Sequence, residues 1–341
     1  MLVSIALISQ PAPATVAALA VVALLLALWI DRRFGEPPTN LHPVVWMGRF
    51  LQRCGAVTTR QGPLLAFVLG AVAWCVGACL TGAVAWAAQT LLLWQVSQLA
   101  TAWSGSAWLG AVVVMVGFAW LLKTMLALRM LRSEVLAVEA ALAESLGAGR
   151  ERLSWLVSRD TAELSAGEVR ESAIESLAEN LNDSVVAPIF WFVLLGLPGA
   201  AVYRFANTAD AMWGYRGTRH GQMWEWAGKW AAWADDMLSW VPARLTALLI
   251  VLVSPGIAFK TLRAEARRTP SPNSGWPMAA MAIALGIRLG KPGVYTLNCT
   301  GLLPEAADTT QTIQKASHVV LALVLIACSA MVLVAMKGAV R

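Results

Sequence analysis

The chain has 341 residues, of which 58% are hydrophobic and only 13% charged, with a formal charge of +6 and a mean hydropathy of +0.63. Soluble domains carry roughly 25% charged residues, so an ordinary globular protein is excluded, and the apolar residues fall in blocks long enough to cross a bilayer. The basic balance calls for no nucleic acid, because loops facing anionic lipid account for it, and the 17 tryptophans suit membrane interfaces.

Residues 1–30 carry no charge, and the apolar run 14–30 ends in Asp31-Arg32-Arg33. A cleaved signal peptide has its positive charge before the apolar run. The order here predicts an uncleaved helix with its N-terminus outside and its arginines in the cytoplasm. The stretch 31–62 adds Arg49, Arg53 and Arg60 and is expected to be cytoplasmic, with Pro37, Pro38 and Pro43 holding its first part extended. Further apolar blocks cover 64–93, 108–130, 185–202, 241–259 and 316–336. The uncharged stretch 95–107 predicts an external hairpin, and Lys123, Arg129 and Arg132 mark a cytoplasmic exit from the third block. The five cysteines and three scattered histidines show no zinc spacing and read as small buried hydrophobes in a reducing cell.

Residues 133–183 form an amphipathic insertion, predicted to be cytoplasmic and helical. "SEVLAVEAALAESL" places Val135, Val138 and Leu142 at helical spacing, with Gly147 and Gly149 as the stop. Ser165 and Glu168 form a capping-box pattern that opens a second helix, with Ile174, Leu177 and Leu181 on one face. Its other side stacks Glu171, Glu175, Glu179 and Asp183 four apart. Like charges at that spacing repel by a few tenths of a kcal/mol per pair, so the row is solvated, binds a cation or meets arginines. Pro188, Gly196, Pro198 and Gly199 interrupt 185–202. Such breaks are tolerated at membrane depth only where backbone lines a cavity or is covered by protein, so this segment is expected to be bent or re-entrant.

Residues 203–244 are rich in polar groups. Asn207 and Asp210 share a helix face; Gly214-Tyr215-Arg216-Gly217 is a turn carrying a cation. Trp226, Trp230, Trp233 and Trp240 make an aromatic stripe flanked by Lys229 and Asp236. Asp235 and Asp236 with Arg244 read either as an ion pair or as a site. Residues 261–315 are expected to be a Pro-rich polar loop plus a short helix, with Asn273 and Gly275 in a tight turn. No P-loop, nucleophile elbow, HExxH or GxGxxG occurs.

Five stretches, "DRRFGEPPTNLHPVVWMGR", "SRDTAELSAGEVRESAIESLAENLNDSVVAPIFW", "GLPGAAVYRFANTADAMWGYR", "WADDMLSWVPARLTAL" and "SPNSGWPMAAMAIALGIRLGK", together resemble the adenosylcobinamide-phosphate synthase family, the CobD/CbiB membrane proteins of cobalamin biosynthesis. The likeness spans most of the chain in order. It departs at Ser184 and Ser239, where the family pattern has Gly and Asn, and at Arg216, where Lys is frequent; "PGVYTLNCTGLLPE" matches loosely.

The resemblance implies an all-α, polytopic membrane bundle read as a single membrane-embedded domain over 1–341. Its bent or re-entrant segments gather the polar islands into one cavity on the cytoplasmic face of the cell inner membrane. It implies an ATP-dependent amide ligase joining adenosylcobyric acid to (R)-1-amino-2-propanol O-phosphate, or to ethanolamine phosphate, with ATP and Mg²⁺. The roles carried over are Asp210, Asp235, Asp236 and His42 in catalysis, and Glu179 and Asp183 as metal ligands. Arg216, Lys229, Arg244, Asn180, Asn207, Tyr215 and Asn273 would bind phosphate and substrate. For His42 a structural place stands beside the proton shuttle. The implied partners are the corrinoid, the amino alcohol phosphate, lipid and other enzymes of the pathway. Two other readings stand beside it: a corrinoid transporter, and a membrane scaffold or signalling modulator without ligase activity.

Overall fold

The computed structural model describes residues 13–101 and 107–339. It is mostly helical, as expected, with two short antiparallel hairpins that hydropathy does not announce. In chain order the elements are α1 (Pro13–Phe34), α2 (Pro43–Thr58), α3 (Pro63–Thr101), α4 (Ala107–Lys123), α5 (Leu128–Glu144), α6 (Leu146–Leu153) and α7 (Ala166–Leu181). A π-helical turn (Asn182–Val186) leads to α8 (Ala187–Leu195), α9 (Leu197–Trp213), β1 (Thr218–Arg219), β2 (Gln222–Met223) and α10 (Lys229–Val253). The chain ends with α11 (Phe259–Ala266), α12 (Gly275–Leu285), β3 (Leu289–Lys291), β4 (Tyr295–Leu297) and α13 (Ala306–Ala339).

Four helical stretches are long and apolar enough to cross a membrane: Thr15–Phe34, Pro63–Val96, Lys229–Val253 and Ala306–Met336. A fifth candidate is broken, with Leu109–Lys123 and Leu128–Glu144 bent by 46°. The chain is a multi-pass membrane protein on this count. Helix α3 has 39 residues, a length of roughly 58 Å against a hydrocarbon core of about 30 Å. The expected external hairpin at 95–107 is therefore helical as far as Thr101, and 102–106 lie outside the described residues.

The apolar block 108–130 does not run through. Helix α4 stops at Lys123, one of the three cations that mark the expected exit. Its ammonium is 1% exposed, 2.8 Å from Glu36 and 3.6 Å from Asp31. Burying a lysine beside two carboxylates removes the cost of an unpaired charge and ties α4 to the end of α1.

Segment 185–202 is interrupted, as expected. The π-turn precedes the nine-residue α8, and Gly196 at φ +73° separates α8 from α9. The first N–H of α9 has no helical partner, and buried Gln89 of α3 accepts it from Leu197 at 2.8 Å. A Cβ at Gly196 would overlap that same amide side chain. Pro198 sits in the first turn of α9, where its missing N–H costs nothing, and Pro188 follows the π-turn directly. The apolar block 241–259 forms the second half of α10, which continues to Val253. Pro242 inside it leaves the Leu238 carbonyl without its helical N–H, and the Trp191 indole donates there instead at 3.1 Å.

The molecule divides into two compact units. The first takes the described parts of Met1–Ala127, Ala187–Leu238 and Leu325–Arg341; the second takes Leu128–Val186 and Ser239–Val324. In the first, α3 packs on α9, α1 on α4, and α2 on both α3 and α9. In the second, α7 packs against α5, α6, α12 and β3, and α11 against α12. Val135, Val138, Ile174, Leu177 and Leu181 are buried there, as their spacing predicts. The Ser165–Glu168 capping box is formed in both directions. Gly147 and Gly149, by contrast, do not stop a helix. Ser145 caps α6 by accepting the Ala148 N–H at 3.1 Å, and both glycines lie inside α6. Gly149 is needed because a Cβ would overlap Leu142. Cys75, Cys79 and Cys299 are exposed rather than buried, and Cys54 and Cys328 are half-buried. On α3 that exposure belongs to an apolar outer face with Val72, Val76 and Leu80.

Candidate functional site

In the first unit, α9 ends at Gly214, the β1–β2 hairpin follows, and α10 starts at Lys229. Between them is a cavity of about 380 Å³ whose wall includes Tyr215, Arg216, Glu225, Lys229, Trp233 and Asp236. Four of these are residues assigned from the sequence. Lys229, Trp233 and Asp236 recur at i, i+4 and i+7, one face of a helix. The Lys229 ammonium lies 4.4 Å from the Trp226 ring centre and 5.5 Å from that of Trp233, so two indoles hold the cation at the wall. The Tyr215 hydroxyl donates to the Ala211 carbonyl at 2.9 Å, and the Arg219 guanidinium covers its ring at 3.7 Å. Gly228 permits the start of α10: a Cβ would overlap the Trp213 carbonyl. Of the expected aromatic stripe, Trp230 packs edge-on against Trp74 at 6.2 Å, whereas Trp226, Trp233 and Trp240 are exposed.

Asp210 lies behind this wall. Its carbonyl accepts the Gly214 N–H at 2.7 Å, and its carboxylate is so close that a Cβ at Gly214 would overlap it. Asn207 is half-buried one turn earlier on α9, and Asp235 is half-buried on α10 beside Asp236; neither lines the cavity. His42 stands elsewhere in this unit. Its Nδ1 accepts the Val44 N–H at 3.3 Å and so caps α2. The other nitrogen, Nε2, therefore carries hydrogen and donates to Glu36 at 3.0 Å. Burial works against the charged Glu36 carboxylate, but the bonds from His42 and Lys123 outweigh it and hold the group below the usual carboxylate range.

In the second unit the acidic row on α7 meets arginines. Glu171 and Glu175 are each 3% exposed, which excludes solvated surface charge. Arg288 Nε donates to Glu171 at 2.8 Å. Burial nevertheless pushes the Glu171 carboxyl above its ordinary range. Glu175 receives Arg159 on one oxygen and the Tyr295 hydroxyl on the other. Burial, and then the Glu175 charge, raise Tyr295 far above the usual phenol range. One turn on, Glu179 and Asn180 line a cavity of about 340 Å³, where Asn180 Nδ2 donates to the Ser176 carbonyl at 2.9 Å. Asp183 lies on the π-turn, accepts from Asn182 at 2.8 Å, and is not part of that wall. Arg244 and Asn273 do meet, at 2.8 Å. Arg244 also donates to the Pro272 and Trp240 carbonyls at 3.1 and 2.7 Å and lies over the Trp240 and Trp276 rings at 4.3 and 5.0 Å. Together these contacts brace α10 against the loop before α12.

The sequence-assigned residues fall in both units: His42, Asn207, Asp210, Tyr215, Arg216, Lys229, Asp235 and Asp236 in the first, and Glu179, Asn180, Asp183, Arg244 and Asn273 in the second. Among the described residues, no group of three or more His, Cys, Asp or Glu side chains is arranged to hold a metal ion. Of the expected Mg²⁺ ligands, Glu179 lines the second unit's cavity and Asp183 lies on the π-turn. Magnesium ordinarily takes one or two protein carboxylates and completes its shell with phosphates and water. Sequence reasoning missed Arg159, Lys291 and Tyr295. Arg159 lies in a stretch that carries the family likeness. The Pro292-Gly293 dipeptide between Lys291 and Tyr295 is a turn signal. Nothing local links either segment to Glu175.

The CobD/Cbib protein family model matches residues 24–336. The chain is 42% identical over 287 residues to a probable cobalamin biosynthesis protein CobD of Methanothermobacter thermautotrophicus, covering 82% of this chain and 88% of that one. It is 40% identical over 276 residues to the cobalamin biosynthesis protein CobD of Chromobacterium violaceum, covering 79% and 81%. With that of Dehalococcoides mccartyi it shares 35% over 290 residues, covering 82% and 88%. No solved structure matches. A family match over most of the chain, with relatives aligned across their own length, makes this protein a member of the CobD/Cbib family.

Proposed function

We propose that the protein is an ATP-dependent amide ligase of cobalamin biosynthesis, joining adenosylcobyric acid to an amino alcohol phosphate. The biosynthetic role follows the printed names of its relatives. The observation that carries the chemical reading is the convergence of Tyr215, Arg216, Lys229 and Asp236 on one cavity in the first unit. A carboxylate is a poor acyl donor, so ATP first converts it to an acyl phosphate and leaves as ADP. The amine then attacks the acyl carbon, phosphate departs, and one proton must be accepted. Such catalysis is mainly positioning and neutralisation of phosphate charge. Arg216 and Lys229 supply two cations for that charge, and Asp236 is the carboxylate placed to accept the proton or to contact a phosphate-bound Mg²⁺. The indole of Trp233 offers a flat face for a base or ring.

ATP use requires this cavity to face the cytoplasm. The reading takes the β1–β2 hairpin as cytoplasmic. The test is ATP consumption by the detergent-purified protein: it should require cobyric acid and amino alcohol phosphate together, and should fall with Lys229→Ala and with Asp236→Asn. Consumption that ignores either substrate sinks the reading, as does labelling of Thr218→Cys from the external side.

A further inference from the structure

The first unit holds an apolar groove apart from its polar cavity. It has a volume of about 290 Å³ and runs along α3 from Gly77 to Ala88, with walls from α2, α4 and α9. At 1.5 Å per residue that run is roughly 16 Å long. At the Gly77 end the rings of Phe50 and Phe205 lie 6.3 Å apart, and a Cβ at Gly77 would overlap both. Met47 and Met125 also line the wall, and their unbranched side chains adapt to a flexible guest. Among the described lining residues, the only side-chain hydrogen-bonding groups are the Thr81 hydroxyl and the Trp46 indole. That indole already donates to the Asn40 carbonyl at 3.0 Å. A polar ligand finds almost no partner on such a wall, whereas a hydrocarbon chain needs none.

Two observations indicate what enters. The groove opens sideways: Trp46, Leu80 and Val84 on its wall are 51%, 55% and 69% exposed, and α3 carries the candidate span Pro63–Val96. An apolar mouth on a membrane-crossing helix meets acyl chains. The second observation is charge. Trp46, Arg49 and Arg53 recur at i, i+3 and i+7, one face of α2. Both arginines are exposed, with no carboxylate within 4.0 Å among the described residues. Arg49 adjoins Phe50, so this stripe starts beside the Gly77 end of the groove. Unpaired arginines are costly inside hydrocarbon. The part of α3 from Gly77 to Val96 is roughly 30 Å long and crosses the core by itself. That places the two arginines at the core's edge, where a guanidinium meets a lipid phosphate through paired N–H donors.

We infer that this groove holds one acyl chain of an anionic phospholipid, with Arg49 and Arg53 on the headgroup phosphate and the chain running towards Ala88. The site is independent of the ligase reading. Native mass spectrometry of the full-length protein in detergent, titrated with dioleoylphosphatidylglycerol, tests it. One molecule should bind about 10-fold or more tightly than dioleoylphosphatidylcholine, whose choline offsets the phosphate charge. Glycerophosphoglycerol, the same headgroup without chains, should bind about 10-fold or more weakly than the whole lipid; equal binding leaves a phosphate site without a chain and overturns the proposal. Ala88→Phe puts a ring into the groove and should weaken phosphatidylglycerol binding about 10-fold or more. Because that ring can disturb the packing, the second variant is Arg49→Gln with Arg53→Gln, two exposed positions. It should bring phosphatidylglycerol down to the phosphatidylcholine level. Equal binding of the two lipids by wild type overturns the proposal, as does unchanged phosphatidylglycerol binding in either variant. A lipid-free dimer that Ala88→Phe abolishes assigns the groove to a second copy of this chain and overturns it as well.

Discussion

The two polar cavities are assembled in opposite ways. The one in the first unit is drawn from a run of 23 residues, Gly214 to Asp236, on a turn, a hairpin and the first turns of one helix. The one in the second unit is drawn from stretches near 158, 179, 272 and 293, and its central contact joins Glu175 to Tyr295, 120 positions away. A local cavity is written as a cluster of charged and aromatic letters. A distributed one is written as isolated letters whose meaning depends on which segments pack together. The two should also fail differently: side-chain changes in the local cavity should cost function, whereas changes at the centre of the distributed one should cost the fold of its unit.

The largest effect should come from Glu175→Ala. It leaves Arg159 and the Tyr295 hydroxyl without their partner in a buried setting, a loss of about 3–5 kcal/mol. Thermal unfolding in detergent checks this, and a change below 1 kcal/mol would remove the clamp from the account. Next come Lys229→Ala and Asp236→Asn, each expected to lower amide formation about 100-fold, equivalent to roughly 2.7 kcal/mol, with little change in unfolding temperature. If they unfold the protein as Glu175→Ala does, the contrast between the cavities is lost.

Acid should expose a third behaviour. Glu36 is held below its ordinary range by His42 and Lys123, so its contribution is complete above the normal carboxylate pKa and disappears as pH falls through the depressed folded value. Unfolding temperatures measured from pH 6 down to pH 3 should therefore converge between wild type and Glu36→Gln at the acid end. Curves that stay parallel would mean that the cluster does not couple to folding. The smallest effect is expected from Ser165→Ala, which opens the capping box of α7 at a cost of about 1 kcal/mol. Thermal unfolding in detergent checks it, and a loss above about 2 kcal/mol would exceed what a cap supplies.

Several features were legible because their causes are local. The charge following an apolar run, the period of Val135 and Val138, the Ser165–Glu168 box and the breaks around Gly196 each depend on residues within a turn or two of one another. The cluster Tyr215, Arg216, Lys229 and Asp236 belongs to the same class, since a hairpin and a helical period of 3.6 suffice to gather it. By itself, then, the sequence determined a multi-pass helical membrane protein of the CobD/Cbib family, an interrupted segment at 185–202, and one polar wall.

Tertiary structure decided what fills the unsatisfied positions. Gln89 accepts the orphan N–H of α9, Trp191 reaches the carbonyl that Pro242 strands, and Lys123 is drawn inward by Asp31 and Glu36. It also decided that the acidic ladder of α7 meets arginines, because Arg159 and Arg288 reach it from segments that no periodicity connects to it. Buried hydrogen-bonding and charged groups must be matched wherever a partner can be brought. That demand is non-local, so the identity of each partner is fixed only when the chain has folded around it.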